Sequence, residues 1–213
     1  MKAIAINGSP RRGWNTEALL KEALKGASSM GAETKLVQLY DLNYTGCKSC
    51  FGCKRKGMED CHCLIKDELK PILDEILKAN TVFLGTPIYF GDMTGQMVSF
   101  FERLAFPLLS YNKPNKKLFD GKINVAMFYT MNASEKYYKE NMEQGLQFRT
   151  NLLKLLGGTV EVYAACDTYQ FMDYSKYNAS FFDENHKRKV YEEQFPKDLQ
   201  AAFEIGCRLA TKA

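Results

Sequence analysis

The chain has 213 residues, 25% of them charged, with a net charge of +4 and seven cysteines. A chain of this length buries roughly 70% of its unfolded surface, so one domain can carry its own core without disulfide staples. An odd cysteine count is a poor disulfide framework. The small basic clusters at Lys54-Arg55-Lys56, Lys113 to Lys117 and Lys187-Arg188-Lys189 read as solvated faces, not as a nucleic-acid patch.

The N-terminal MKAIAINGSP breaks off at Asn7-Gly8-Ser9-Pro10, too soon for the apolar core of a secretory signal. No apolar run is long enough to span a bilayer. The expectation is a soluble, cytoplasmic protein with neither a nucleic-acid nor a membrane partner. In chain order, KAIAIN (Lys2 to Asn7) reads as a first strand and Thr16 to Met30 as a first helix. TKLVQL (Thr34 to Leu39) is a second strand, followed by a helix over Asp67 to Ala79. TVFLGT (Thr81 to Thr86) precedes a helix over Gly95 to Phe106, and INVAMFYT (Ile123 to Thr130) precedes one over Glu135 to Leu156. TVEVYAA (Thr159 to Ala165) is the fifth strand, and a last helical stretch runs from Glu184 to Thr211, with Pro196 suited to the first turn of its second half.

Most of these strands are nearly continuous in apolar character, as strands covered on both faces are. Alternation of strand and helix over the whole chain predicts an α/β fold with a parallel sheet between two helical layers. Repeats and long linkers are absent, so residues 1–213 read as one domain. Its two irregular parts are a cysteine-rich loop over 46–63 and an aromatic-rich loop with a C-terminal helical extension over 167–213.

The segment INGSPRRGWNTEALLKEAL leaves the first strand and enters the first helix. In an open parallel sheet that place holds ligands, and a helix start offers unpaired N–H groups to an anion. Ser9, Asn15 and Thr16 add short-range donors and Arg11 or Arg12 adds charge, more than simple capping by Asn15 or Thr16 requires. The loop lacks both G-x-x-x-x-G-K-[ST] and G-x-G-x-x-G, so neither an ATP loop nor a dinucleotide fingerprint is present. A loop lined by hydroxyls and amides suits a single terminal phosphate.

GSPRRGWNTEALL resembles the FMN-phosphate loop of the NAD(P)H-dependent FMN reductase and iron–sulfur flavoprotein group of the flavodoxin-like superfamily. GTPIYFGDMTGQMVSFFERL (Gly85 to Leu104) is similar to that group's loop after the third strand, and FPKDLQAAFEIGCRLA to its last helix. The cysteine run with its trailing CLIKDEL is similar to the iron–sulfur flavoproteins and their close relatives. Trp14 departs from the pattern, standing where relatives often have glycine. The resemblance implies a flavodoxin-like, doubly wound, five-stranded parallel sheet with helices on both faces, and FMN as cofactor. By position, Ser9, Arg11, Asn15 and Thr16 would hold the phosphate. Pro87, Ile88, Tyr89 and Phe90 would lie along the isoalloxazine, with Gly91 allowing close backbone approach. Thr130 and Met131 would border the flavin from a third loop. A homodimer or homotetramer is implied as well; the aromatics from Tyr169 to Phe182 suit either such an interface or packing beneath the last helix.

Five of the seven cysteines fall between Cys47 and Cys63. Cys47, Cys50 and Cys53, at every third residue, can wrap one corner of an iron–sulfur cube. Cys61 then completes C-x2-C-x2-C-x7-C, within the compact pattern of the iron–sulfur flavoproteins, and the set would hold a 4Fe-4S cluster. Zinc sites more often pair two short knuckles across a longer spacer, although His62 offers a nitrogen ligand. A thiol-redox or structural loop is the third reading, and there Cys63 fits the relatives' pattern as well as Cys61 fits the cluster. Lys54, Arg55 and Lys56 are expected to lower neighbouring thiol pKa values.

No paired carboxylates and no Ser–His–Asp set stand out, so no side chain is named as catalytic acid or base; the expected chemistry is the flavin's. The resemblance implies electron transfer from NAD(P)H to a quinone, nitroaromatic, flavin, metal ion or protein acceptor. An electron carrier between redox proteins and a flavin-free, zinc-containing binding module are the other classes. No ribose-reading acid or base can be placed, so NADH and NADPH are not distinguished.

Overall fold

The computed structural model describes residues 1–57, 61–112 and 118–210; the Lys113 to Lys117 cluster and Thr211 lie outside them. The chain alternates β1 (Lys2–Asn7), α1 (Asn15–Ser29), β2 (Glu33–Gln38), α2 (Lys70–Ile76), β3 (Thr81–Tyr89), the two-residue β4 (Asp92–Met93) and α3 (Gly95–Leu108). It continues through β5 (Ile123–Thr130), α4 (Glu135–Asn141), α5 (Glu143–Asn151), β6 (Gly157–Ala165), α6 (Glu184–Glu193) and α7 (Phe195–Leu209). Five strands pair in parallel in the order β2-β1-β3-β5-β6, and β4 folds back antiparallel on the end of β3. This is the doubly wound order of flavodoxin-like sheets, whose switch point lies between β1 and β3.

The alternation of side chains along β1 sorts the two cores. Ile4 and Ile6 face one layer with Val82, Leu84, Phe100, Leu104 and Leu153. Ala3 and Ala5 face the other, with Leu19, Leu20, Ala202 and Ile205 from α1 and α7. Small residues on that side let the helices approach closely. A Cβ on Gly206 of α7 would lie 2.0 Å from the Ala23 carbonyl oxygen of α1. The edge strands are only half covered, β2 and β6 each exposing residues along their length.

Two expected helices are interrupted. The span over Glu135 to Leu156 breaks at Met142 into α4 and α5 and tightens into a 3₁₀ turn at Leu152–Leu156. The C-terminal span breaks at Gln194, and Pro196 sits in the first turn of α7, where it forfeits no helical hydrogen bond. The third strand runs three residues past Thr86, to Tyr89. Its extension pairs with β5 up to Pro87–Thr130 and with β4 beyond that.

Candidate flavin site and cysteine loop

The segments following β1, β3, β5 and β6 meet at the carboxyl edge of the sheet and enclose a cavity of about 480 Å³. All eleven residues that the sequence singles out for this site line it: Ser9, Arg11, Asn15, Thr16, Pro87, Ile88, Tyr89, Phe90, Gly91, Thr130 and Met131. The loop after β1 is tightly braced. Ser9 N–H donates to Asn7 Oδ1 (3.0 Å), Ser9 Oγ accepts from Arg11 N–H (3.1 Å), and Gln38 Nε2 donates to the Ser9 carbonyl (2.9 Å). Thr94 Oγ1 donates to the Gly8 carbonyl (2.7 Å) while capping α3, which ties this loop to the third strand's loop.

Helix α1 starts without a side-chain cap at Trp14. Its own ladder begins with Ala18 N–H to Trp14 O (2.9 Å), so the amides of Asn15 and Thr16 precede the helical bonds and lie at the positive end of the dipole. Glu17 takes the Gly13 N–H (2.9 Å); burial works to raise its pKa, but Lys21 and the Gly13 amide outweigh it and hold it low. Trp14 needs no left-handed backbone: its ring carries the Arg11 guanidinium 3.7 Å from its centroid. Arg12 is paired with Asp41, leaving Arg11 as the arginine at the cavity. The Thr16 and Thr130 hydroxyls meet at 2.7 Å, both buried. Asn15 Nδ2 donates to the Tyr169 carbonyl (2.9 Å), so this side chain also pins the segment after β6.

The second wall is a hairpin. Tyr89 and Asp92 pair, and between them Phe90 (φ 53°) and Gly91 (φ 82°) both take left-handed conformations, as a two-residue type I′ turn needs. The Phe90 ring stands fully exposed at the rim, and Arg149 of α5 braces the hairpin through Asp92 at 2.5 Å. On the third side, Lys187 of α6 donates to the Asn132 carbonyl (2.9 Å) and pairs with Asp167, which also binds His186.

Reasoning from sequence did not single out Trp14, Asn132, Tyr137, Asn141, Met142, Thr168, Tyr169 and Gln170 as lining residues. The signal for the last group was the loop directly after the fifth strand, a carboxyl-edge position like the other three. Most of the aromatic segment packs on itself: Phe171 stacks on Tyr177 at 4.1 Å, and Tyr169 sits between Tyr174 and Tyr191. Phe181 and Met172 stay exposed.

The cavity suits a flavin mononucleotide on its own terms. Uncapped amides and two hydroxyls stand at one end, aromatic and aliphatic walls along the rest, and Asn132 Oδ1 is a buried acceptor without a partner. No Asp, Glu, His, Lys or Cys lies among the described lining residues. The site offers binding and orientation, not a carboxylate or imidazole base.

The cysteine loop forms a separate place. Cys47, Cys50, Cys53 and Cys63 line one small cavity with Phe51, Leu64, Ile65, Glu102, Arg103, Phe106 and Pro107. Cys61, the expected fourth member, does not line it. Its φ of 63° turns the chain there, and its side chain is buried in the core. His62 faces α2 and meets Asp74 (Nδ1 to Oδ1, 2.6 Å), not the cysteines. Ser49 and Phe51 also hold positive φ, so three non-glycine residues of this loop are in conformations that need outside support.

Part of that support is Lys54, whose Nζ donates to the carbonyls of Phe106 (2.6 Å), Pro107 (3.2 Å) and Leu109 (2.5 Å) at the end of α3. The basic triplet therefore does not act as expected at Cys53: burial pushes that thiol's pKa up, and Lys54 only partly opposes it. Among the described residues, no three His, Cys, Asp or Glu side chains converge as a single metal ion requires. A zinc ion would have to draw the sulfurs to about 2.3 Å from one point.

Strand order, carboxyl-edge cavity and phosphate-type loop define a flavodoxin-like flavin-binding α/β protein. The NADPH-dependent FMN reductase family model matches residues 1–144, and the chain belongs to that family. An iron-sulfur flavoprotein of Methanocaldococcus jannaschii is 37% identical over 103 residues, 48% of this chain and 51% of that protein. One of Methanosarcina thermophila is 31% identical over 103 residues, covering 48% of this chain and 52% of the relative. The matched stretch spans about half the length of these curated relatives. Among solved structures, an NAD(P)H:quinone oxidoreductase from Methanothermobacter marburgensis superposes with a TM-score of 0.70 at 13% identity, over 100% of this chain and 98% of that one. An archaeal flavodoxin gives 0.52 at 17% identity, over 99% and 96%. These two share the fold. No described helix is long and apolar enough to cross a membrane.

Proposed function

We propose that the chain is an FMN-dependent oxidoreductase that takes electrons from NAD(P)H and passes them to a separate acceptor. The observation that carries this reading is the cavity at the switch point, with the uncapped α1 N-terminus, the paired Thr16 and Thr130 hydroxyls and the Phe90–Gly91 hairpin converging on it. Bound FMN supplies hydride acceptance and one- or two-electron transfer. Ser9, Thr16 and the first-turn amides of α1 hold its phosphate, with Arg11, steadied on Trp14, adding charge. Asn15 contributes its backbone amide while its side chain fastens the loop after β6. Pro87 to Gly91 and Met131 wall the ring system, and Asn132 Oδ1 accepts from a polar edge of the ligand. Family membership supports the flavin and the reductase chemistry; the acceptor and the choice of nicotinamide are open to assay. Mass spectrometry of the released cofactor should give FMN, and anaerobic titration with NADH and NADPH should bleach its absorption. FAD, or no flavin after reconstitution, would overturn the reading.

A second feature favours an added electron-transfer step. The relatives' names point to an iron–sulfur cluster, and Cys47, Cys50, Cys53 and Cys63, with Cys61 close by in sequence, supply enough thiols in one loop for its four ligands. In this reading Cys47, Cys50 and Cys53, with Cys61 or Cys63 as the fourth ligand, hold the cluster, and the protein stores or relays single electrons beside its flavin. Iron and acid-labile sulfide analysis after anaerobic reconstitution tests it: four of each per chain is the expected result.

A further inference from the structure

We propose that Lys187 is a positioning residue of the flavin cavity, drawing the Asn132 carbonyl back so that the Asn132–Ala133 segment meets the ligand with N–H donors; this rests on the flavin reading above. Lys187 is the buried residue of α6, at 3% exposure, while its neighbours His186, Arg188 and Lys189 are exposed. Anchoring a helix does not call for a buried ammonium, since an apolar side chain of similar volume often serves as well or better. Here the ammonium does what an apolar group cannot. Nζ donates to the Asn132 carbonyl (2.9 Å) and pairs with Asp167, and the centroid of the Phe182 ring lies 5.8 Å away.

The segment after β6 takes the neighbouring carbonyls as well. Thr168 donates to the Met131 carbonyl through N–H (2.9 Å) and Oγ1 (3.1 Å), and Asp167 N–H donates to that of Ala133 (2.8 Å). Met131 C=O shares a trans peptide with Asn132 N–H, and Asn132 C=O shares one with Ala133 N–H; in each the two groups point opposite ways. Holding the carbonyls from this side therefore turns the two amides to the other. Asn132 and Ala133 both line the cavity, and neither amide has an acceptor among the described residues. With the unpartnered Asn132 Oδ1 they offer donors and an acceptor in one stretch, as the imide edge of a flavin requires. Donors backed by a buried cation hold a ligand more tightly once it has gained electrons. Asp167, Thr168 and Lys187 lie beyond residues 1–144, the part that the family model covers.

The test compares Lys187→Met and Asp167→Asn with the unsubstituted protein, by FMN titration and by spectroelectrochemical measurement of the flavin potential. Lys187→Met keeps an unbranched side chain but removes its charge and donors. FMN should bind about tenfold more weakly, and the reduced form should lose more than the oxidised. An additional loss of about tenfold on the reduced side lowers the two-electron potential by ~30 mV. Asp167→Asn keeps the Lys187 donor, suits the φ of 57° and removes a negative charge, so its potential should rise. Shifts of opposite sign support the assignment. Potentials unmoved, or moved the same way, would overturn it and leave the flavin reading standing, because a merely structural role weakens binding without that pattern. Should Lys187→Met not fold, Asp167→Asn decides alone: a raised potential supports the assignment and an unraised one overturns it. An unsubstituted protein that binds no FMN would instead overturn the flavin reading and this inference with it.

Discussion

Replacing Gly206 by alanine sets two effects of known size against each other. Alanine in a helix interior is favoured over glycine by about 1 kcal/mol, so propensity alone predicts a more stable protein. The structure predicts the reverse. The added Cβ would stand 2.0 Å from the Ala23 carbonyl oxygen and 3.0 Å from the Ala23 Cα, whereas real Cβ contacts are essentially not found below 3.0 Å. The obstruction is backbone, with no side-chain rotamer to swing aside, so α1 and α7 must part by about 1 Å. Overpacking of a core costs typically about 1–3 kcal/mol, and a backbone clash of this depth belongs at the upper end. The net loss is then about 2 kcal/mol, or roughly 4–8 °C in Tm for a chain of this size. Differential scanning calorimetry or thermal circular dichroism on the flavin-free protein reads it directly. A Tm equal to or above that of the unsubstituted protein would refute the reasoning. Gly26, whose Cβ would meet the Phe203 carbonyl oxygen at 2.0 Å, opens the same interface from the other side. The double variant should therefore lose less than the sum of the two single changes.

Thr16→Val keeps the shape of the side chain while removing the hydroxyl that meets Thr130 at 2.7 Å and that, in the proposed function, contacts the FMN phosphate. Loss of such a contact costs about 1–3 kcal/mol, so FMN binding by fluorescence quenching should weaken about 5- to 150-fold; unchanged affinity would put the phosphate elsewhere. At Cys166, burial first and nearby carboxylates second push the thiol up to about 11. Only the thiolate is alkylated. Its iodoacetamide rate, followed by peptide mass spectrometry, should climb about tenfold per pH unit through pH 10 and level off near 11, and a plateau by pH 9 would contradict the burial argument.

Strand and helix sequence, parallel pairing and the three loops that meet at the carboxyl-edge cavity were legible because each depends on local pattern. KAIAIN and INVAMFYT match β1 and β5 to the residue, since a buried parallel strand must be apolar on both faces. The phosphate-type loop shows in sequence because its donors are adjacent along the chain. Tertiary structure alone decided what depends on distant residues meeting. Sequence spacing puts Cys61 next after Cys47, Cys50 and Cys53, whereas it is Cys63 that lines a cavity with those three and accepts from the guanidinium of Arg103, 40 residues on. Lys54 next to Cys53 reads as a thiol activator, yet its ammonium caps α3, and burial governs the thiol instead. Tyr169 reaches the cavity through a hydrogen bond to Asn15, 154 residues earlier. Local periodicity carries the free energy of single elements, whereas a side chain's partner is set by packing across elements, and no spacing along one chain encodes that contact.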